Sequence, residues 1–332
     1  MLGVKRTWGS DERGDYIVHN MPDYIKGGVQ AFMGQLTQHG WSNTKLPEQP
    51  FPDEASNLTL WDPENLVTDA EAKKYHALGY MNLVGYLIWA ARCCFPEALC
   101  GCSILGRVMS RPTKLAWRAA IHLLAWLWSQ CDRGIKFSSG GNAEPVASVD
   151  ASGQTDPKDM RVQHGYGVLL AGGPVIAHSS KHAKIQAGMP GREYMALHSC
   201  GGHVIWLREL LREMGLGYMV AKPTVIECDS KGAVDWAVFG KIIAGNRSLK
   251  VAIHQAVQEW QNDEKELFYL LVPGMYNRYD LCTKANSKND IRRLLMWATG
   301  YADGPSLDPA VSDMAKYLVY TAAWENYLNK LG

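Results

Sequence analysis

The period of the hydrophobic positions changes near residue 140. Between residues 68 and 131 apolar residues recur at helical spacing. "TDAEAKKYHALGYMNLVGYLIWAARCC" predicts a helix opening at Thr68, an N-cap candidate with acids in the turn behind it. "PTKLAWRAAIHLLAWLWSQ" predicts a second helix, with Pro112 at its start. Residues 1–62 read as polar and broken by Pro and Gly, with one amphipathic segment, "DYIKGGVQAFMGQL". "SSGGNAEP" (138–145) is rich in turn residues and is the best boundary. Beyond it, "PVASVDAS", "YGVLLAGG" and "PVIAHSSK" are short apolar runs between turns, which predict three consecutive strands. A long helix follows from Pro190. Glu193, Leu197, Cys200, Val204, Leu207 and Leu211 fall on one of its faces. Then come strand "TVIECD", helices through "AVDWAVFG" and "SLKVAIHQAVQEWQN", strand "LFYLLV" and a short helix from "YNRYDLCTKA". The order β-β-β-α-β-α-α-β-α predicts an α/β domain, a mixed sheet with helices on both faces.

Composition narrows the function classes. With 47% hydrophobic and 20% charged residues the chain reads as an ordinary globular protein. A net charge of +1 means that any nucleic-acid binding must rest on a local patch. The longest apolar stretch, 78–91, is too short to span a bilayer, and the N-terminus has no apolar leader, so the expected location is cytoplasmic or nuclear rather than secreted, with no membrane partner. The eight cysteines are then expected to be reduced. "CCFPEALCGC" lacks the paired spacing of a zinc site and reads as buried core.

Four acids stand at element junctions: Asp150, Glu193, Asp229 and Asp280. Each has a bland reading. Asp150 fits a turn, Asp229 could cap the helix behind it, and Asp280 could form a capping box with Asn277. Glu193 could favour a helix N-terminus, but its stripe is otherwise apolar and should be buried. One explanation covers all four. Neighbouring central strands end close together, and a helix across the sheet can bring Glu193 beside them. Carboxylates gathered in this way repel, and divalent cations such as Mg2+ or Mn2+ remove that cost. Two ions ~4 Å apart can hydrolyse a phosphodiester.

From about residue 15 to 285 the chain resembles the C-terminal part of the polyprotein of copia-type retrotransposons. "YHALGYMNLVGYLIWAARCCFPEALCGCSILGRVMSRPTKLAWRAAIHLLAWL" looks like the segment joining reverse transcriptase to its ribonuclease H, with Tyr80, Leu83 and Gly85 at its start and "PTKLAWRA" near its end. "GYGVLLAGGPVIAHSSKH", "REYMALHSCGGHVIWLRELL", "PTVIECDSKGAV" and "YDLCTKA" are similar to successive elements of the ribonuclease H domain. The resemblance implies a ribonuclease H-like five-stranded mixed sheet preceded by a mainly helical connection region. It divides the chain into a thumb-like remnant and linker (1–62), the connection region (63–140), the ribonuclease H-like domain (141–290) and a helical tail (291–332).

It also implies that Asp150, Glu193, Asp229 and Asp280 are the catalytic acids and hold two Mg2+ or Mn2+ ions. The implied substrate is an RNA–DNA hybrid, and a polymerase domain is a possible partner. Arg107, Arg111, Lys114 and Arg118, in a stretch that also carries Arg133 and Lys136, are candidates for phosphate contact, with Lys181 and Lys184 nearer the acids. The polymerase palm motif is absent, so a fragment of a longer polyprotein is expected. The flanks of the acids depart from the family pattern ("DASGQ", "GMPGREY", "RSLKVAIHQ"). An inactive remnant that still binds nucleic acid is therefore the alternative, and an integrase-type enzyme on the same fold is a third reading.

Overall fold

In the computed structural model, which describes residues 3–52, 67–155, 159–183, 185, 188–240, 251–284, 287–302 and scattered positions after 321, two sheets and two hydrophobic cores organise the chain. Strands β1 (Lys5–Asp11) and β2 (Gly14–Asn20) form an antiparallel hairpin. The sequence pattern had no place for it. β1 is exposed along nearly its whole length, so it carries no apolar alternation. Short helices α1 (Pro22–Ala31) and α2 (Met33–Gln38) follow.

The single helix expected from Thr68 is two, α3 (Asp69–Ala77) and α4 (Tyr80–Cys94). The break is at Gly79, whose φ of 90° is left-handed backbone that an α-helix cannot contain. Thr68 caps α3 as expected, accepting from the Glu71 amide at 3.2 Å. Helix α5 (Leu99–Gly106) carries Cys100 and Cys102 into the core, where with Cys94 they are buried free thiols. Helix α6 (Lys114–Gln130) is capped by Thr113, not Pro112, through the Ala116 amide at 2.9 Å. Strand β3 (Ile135–Ser138) then pairs with β2 and completes the three-stranded sheet.

The second sheet contains the three expected strands, β4 (Val146–Thr155), β5 (Val162–Leu170) and β6 (Gly173–Lys181), paired antiparallel in sequence. Helix α7 (Met189–Glu213) returns across it. Strand β7 (Thr224–Cys228), helices α8 (Lys231–Phe239) and α9 (Val251–Gln258), and strand β8 (Leu267–Leu271) follow. β7 and β8 run parallel to β4, giving the order β6-β5-β4-β7-β8. The expected last helix from residue 276 is a 3-10 turn, Arg278–Cys282, followed by α10 (Lys288–Ala298).

One core lies between the sheet and α7, α8 and α9, through Ala147, Val149 and Ala151 of β4 and the predicted stripe of α7. The other joins the N-terminal helices to Tyr279, Cys282 and α10. It reaches the opposite sheet face because β5 has glycines there. A Cβ on Gly167 would lie 1.7 Å from the Tyr279 ring, and one on Gly165 would lie 2.5 Å from the Cys282 Cβ. No helix among the described residues is long and apolar enough to cross a membrane.

On the α7 side of β5 and β6, His164 stacks on His182 with ring centroids 4.1 Å apart, and Tyr166 stacks on His178 at 4.8 Å. Burial, then the neighbouring His182 and His178 rings, depress His164 to about 2. Burial likewise takes His178 and His182 down to about 4. All three are therefore neutral at pH 7. Unfolded histidine titrates near ~6.5, so below that pH the unfolded chain binds more protons and stability falls. His164→Phe keeps a buried ring without the titration. Its melting temperature relative to wild type is expected to rise as pH drops from 7 to 5, and a constant difference would refute this.

Candidate metal centre

Asp150 lies mid-strand on β4, not at its end, because β4 continues through an irregular stretch between Ala151 and Thr155. Such irregularities re-aim neighbouring side chains. Alternation turns Asp150 away from the α7 core, and its cross-strand neighbour is Gly165. The carboxylate is 4% exposed and accepts a hydrogen bond from the Thr283 hydroxyl.

Glu193 sits in the second turn of α7, in line with Leu197 and Cys200, and is 3% exposed. The Ala151 backbone N–H donates to it. The Cys228 thiol is 4.0 Å from its Oε2. Asp229 follows directly on β7. It does not cap α8, whose N-cap is Ser230. A Cβ on Gly274 would come within 3.0 Å of Asp229 Oδ2, so a glycine there leaves the carboxylate room. Ligand atoms of Glu193, Cys228 and Asp229 all lie within 4.8 Å of one another.

Asp280 is carried by the 3-10 turn, which Asn277 fastens to β4. The fully buried Asn277 side chain accepts from Ser148 Oγ at 2.9 Å and donates to the Val149 carbonyl at 2.9 Å. It also caps the turn by accepting from the Tyr279 amide at 3.3 Å, and its amide hydrogen-bonds Asp229. The Asp280 carboxylate meets Lys284 Nζ at 2.7 Å.

The structure therefore brings the four acids together, and burial with mutual repulsion raises three of them. Burial, followed by the charges of Asp280 and Asp229, pushes Asp150 up to about 8. Burial, then Asp150 and Asp229, raises Glu193 well above the usual carboxylate range. Burial and then Asp280 raise Asp229. Burial disfavours the Lys284 ammonium, but Asp280, Asp150 and Asp229 hold its pKa up. Sequence reasoning missed Asn277's anchoring role, Thr283, Lys284 and Cys228. Only Lys284 had a local signal, its place four residues after Asp280 at ion-pair spacing.

The basic candidates are dispersed. Arg107 reaches β5 and hydrogen-bonds Gln163, on the same sheet face as Asp150. Arg111 pairs with Asp69 at 3.0 Å, and Lys181 pairs with Asp159 at 2.7 Å. Lys114 is exposed in the first turn of α6, and Arg118, also exposed, lies near His39. Lys184 is outside the described residues. Arg133 and Lys136 face inward instead, pairing with the buried Glu97 and with Asp11.

The mixed five-stranded sheet, its strand order and the helices on both faces form a ribonuclease H-like fold. Over 76% of its length it is 26% identical to the retrovirus-related Pol polyprotein from transposon TNT 1-94 of Nicotiana tabacum. Over 46% it is 29% identical to the retrovirus-related Pol polyprotein from transposon RE2 of Arabidopsis thaliana. The resemblance to copia-type polyproteins is thus found across both helical and sheet regions. The matched regions span 18% and 10% of those two polyproteins. No family model matches the chain. The solved structure of LC11-RNase H1, isolated from compost, aligns with 46% of this chain and 99% of its own at 14% identity, with a TM-score of 0.34.

Proposed function

We propose that this domain is a ribonuclease H that hydrolyses the RNA strand of RNA–DNA hybrids, using two Mg2+ or Mn2+ ions held by Asp150, Glu193, Asp229 and Asp280. The observation that carries the proposal is the convergence of four acids from β4, α7, β7 and the 3-10 turn, with three of them raised by burial and mutual charge. Buried charges of one sign are costly unless a counter-charge compensates them. Among the described residues Lys284 meets Asp280, which leaves Asp150, Glu193 and Asp229 as hard oxygen donors suited to such ions. Bound there, the ions would lower the pKa of water and stabilise the charge on the leaving oxygen.

The chain's own residues set the geometry. Thr283 orients the Asp150 carboxylate, and the Ala151 N–H fixes that of Glu193. Asn277 ties the turn bearing Asp280 to the strand bearing Asp150. Supporting groups of this kind commonly decide metal affinity. Recognition would rest on the hybrid's backbone and 2′-hydroxyls rather than its sequence. The likeness to Pol polyproteins makes a reverse transcriptase polymerase domain the expected partner.

Lys284 supports the second reading, an inactive remnant that binds nucleic acid. Its ammonium already neutralises part of the acidic cluster, as an internal substitute for an ion. Calorimetric titration with Mn2+ separates the two. Wild type is expected to bind Mn2+ and Asp229→Asn to bind about 10-fold more weakly or worse. Cleavage of hybrid RNA should accompany binding, while the same DNA duplex stays intact. Equal Mn2+ titrations for wild type and variant would remove the metal site. Hybrid binding without metal-dependent cleavage would establish the remnant.

A further inference from the structure

Two cavities lie side by side along the outer edge of β6. The larger, about 670 Å³, is lined by Arg92, Ser103, His178, Ser180 and His203, among others. The smaller, about 320 Å³, lies where β6 meets the three-stranded sheet and is lined by His19, Arg92 and Phe137. Arg92, Val175 and Ala177 belong to both, so the two form one groove, and among the described residues no carboxylate lines either part.

The groove continues onto the hairpin. Arg6 pairs across the ladder with His19, and Trp8 with Ile17. His19 and Ile17 pair in turn with Ile135 and Phe137 of β3. Directly paired residues point to the same side of a sheet, so Arg6 and Trp8 share the face that lines the smaller cavity. Trp8 is 70% exposed. Neither Arg6 nor Arg92 takes part in an ion pair among the described residues. At the other end Ser179 lines the larger cavity and pairs with Gly165, which pairs with Asp150. Two strand spacings, about 10 Å, therefore separate Ser179 from Asp150.

We propose that this groove binds a single-stranded segment of nucleic acid, with Arg92 and Arg6 on its phosphates and Trp8 stacked on a base. Two arginines without acidic partners complement a polyanion. An exposed indole two residues from Arg6, on the same face of β1, adds the stacking surface that unpaired bases use. Within a strand a base can turn its face to Trp8 only by unstacking from a neighbour, which a single strand allows more readily than a continuous duplex. The choice of nucleic acid as the polyanion rests on the ribonuclease H reading; the groove does not depend on the acids or on metal.

The test is fluorescence anisotropy of a labelled 20-nucleotide oligo-dT with the full chain in EDTA, titrated over salt. Wild type should bind with a steep salt dependence. Arg92→Ala should reduce the slope of log K against log salt by about 0.7, the loss of one phosphate contact on a single strand, and Arg92→Lys should restore it. Trp8→Ala should weaken binding by about 5-fold or more with the slope unchanged. Absence of binding, or binding that neither Arg92→Ala nor Trp8→Ala alters, would overturn the proposal. So would poly-glutamate displacing the oligonucleotide as well as unlabelled oligo-dT does, because the groove would then be a site for acidic peptides. Oligonucleotide binding that persists in a protein unable to cleave hybrid would leave the groove standing and retire the nuclease.

Discussion

Asp150→Asn is expected to abolish hybrid cleavage and, without metal, to make the protein more stable. Both effects come from the same carboxylate. Asp150 is central among the acids: it adds to the raised pKa of Glu193, and Asp280 and Asp229 help to raise its own. An ion in such a site contributes several kcal/mol to the transition state. Loss of one shared ligand should therefore lower cleavage by at least about 100-fold. The stability effect has a definite sign. Asp150 titrates near ~3.9 in the unfolded chain and at about 8 in the folded one. Between those values the folded state keeps a proton that the unfolded state has lost, so this group costs stability as pH rises from about 4 to about 8. Asparagine keeps the shape, can still accept from Thr283, and has no charge to desolvate. In EDTA the melting temperature of Asp150→Asn should match wild type near pH 4 and exceed it increasingly towards pH 8. Each kcal/mol relieved should appear as about 2–4 °C. A variant less stable than wild type at pH 8 would show that the carboxylate is not held against repulsion.

That outcome bears on how far the site could be read from sequence. Glu193 was legible on its own because it breaks a local rule, and Asp229 only in company with the other acids. Asp229 ends an apolar strand, and Glu193 interrupts an apolar stripe whose other members are all buried. The order of the strands was legible because β4, β5 and β6 are short apolar runs separated by turns. The parts that were not legible depend on contacts remote in sequence. Asn277 reads as a local cap, which it is, and its side chain also bonds residues 128 and 129 positions away. Thr283 meets Asp150 across 133 positions. The hairpin was invisible for a different reason, since a strand exposed on both faces has no period to detect. The basic residues were placed by composition, and composition does not distinguish Lys136, buried against Asp11, from Arg118 at the surface.

Gly167→Ala is expected to destabilise the fold and to disable the site from a position that touches none of the acids. The Cβ would stand 1.7 Å from Cζ and 2.1 Å from Cε1 of Tyr279. That ring cannot swing aside into solvent, because Tyr279 is fully buried in the core that joins the N-terminal helices to α10. The 3-10 turn must therefore move as a unit, or β5 must buckle. Overpacking of this kind costs about 1–3 kcal/mol, and sometimes more when the backbone has to yield. The turn also carries Asp280, and Asn277 at its start holds it to Ser148 and Val149. A shift of the turn would pull on those bonds and withdraw Asp280 from Asp150. Gly167→Ala should then lower the melting temperature and weaken Mn2+ binding together. Tyr279→Ala in the same chain should recover part of the Mn2+ binding by vacating the ring's position, while the melting temperature stays low because a core site is emptied. A double variant no better in metal binding than Gly167→Ala alone would mean that the glycine serves β5 itself and not the seat of the turn.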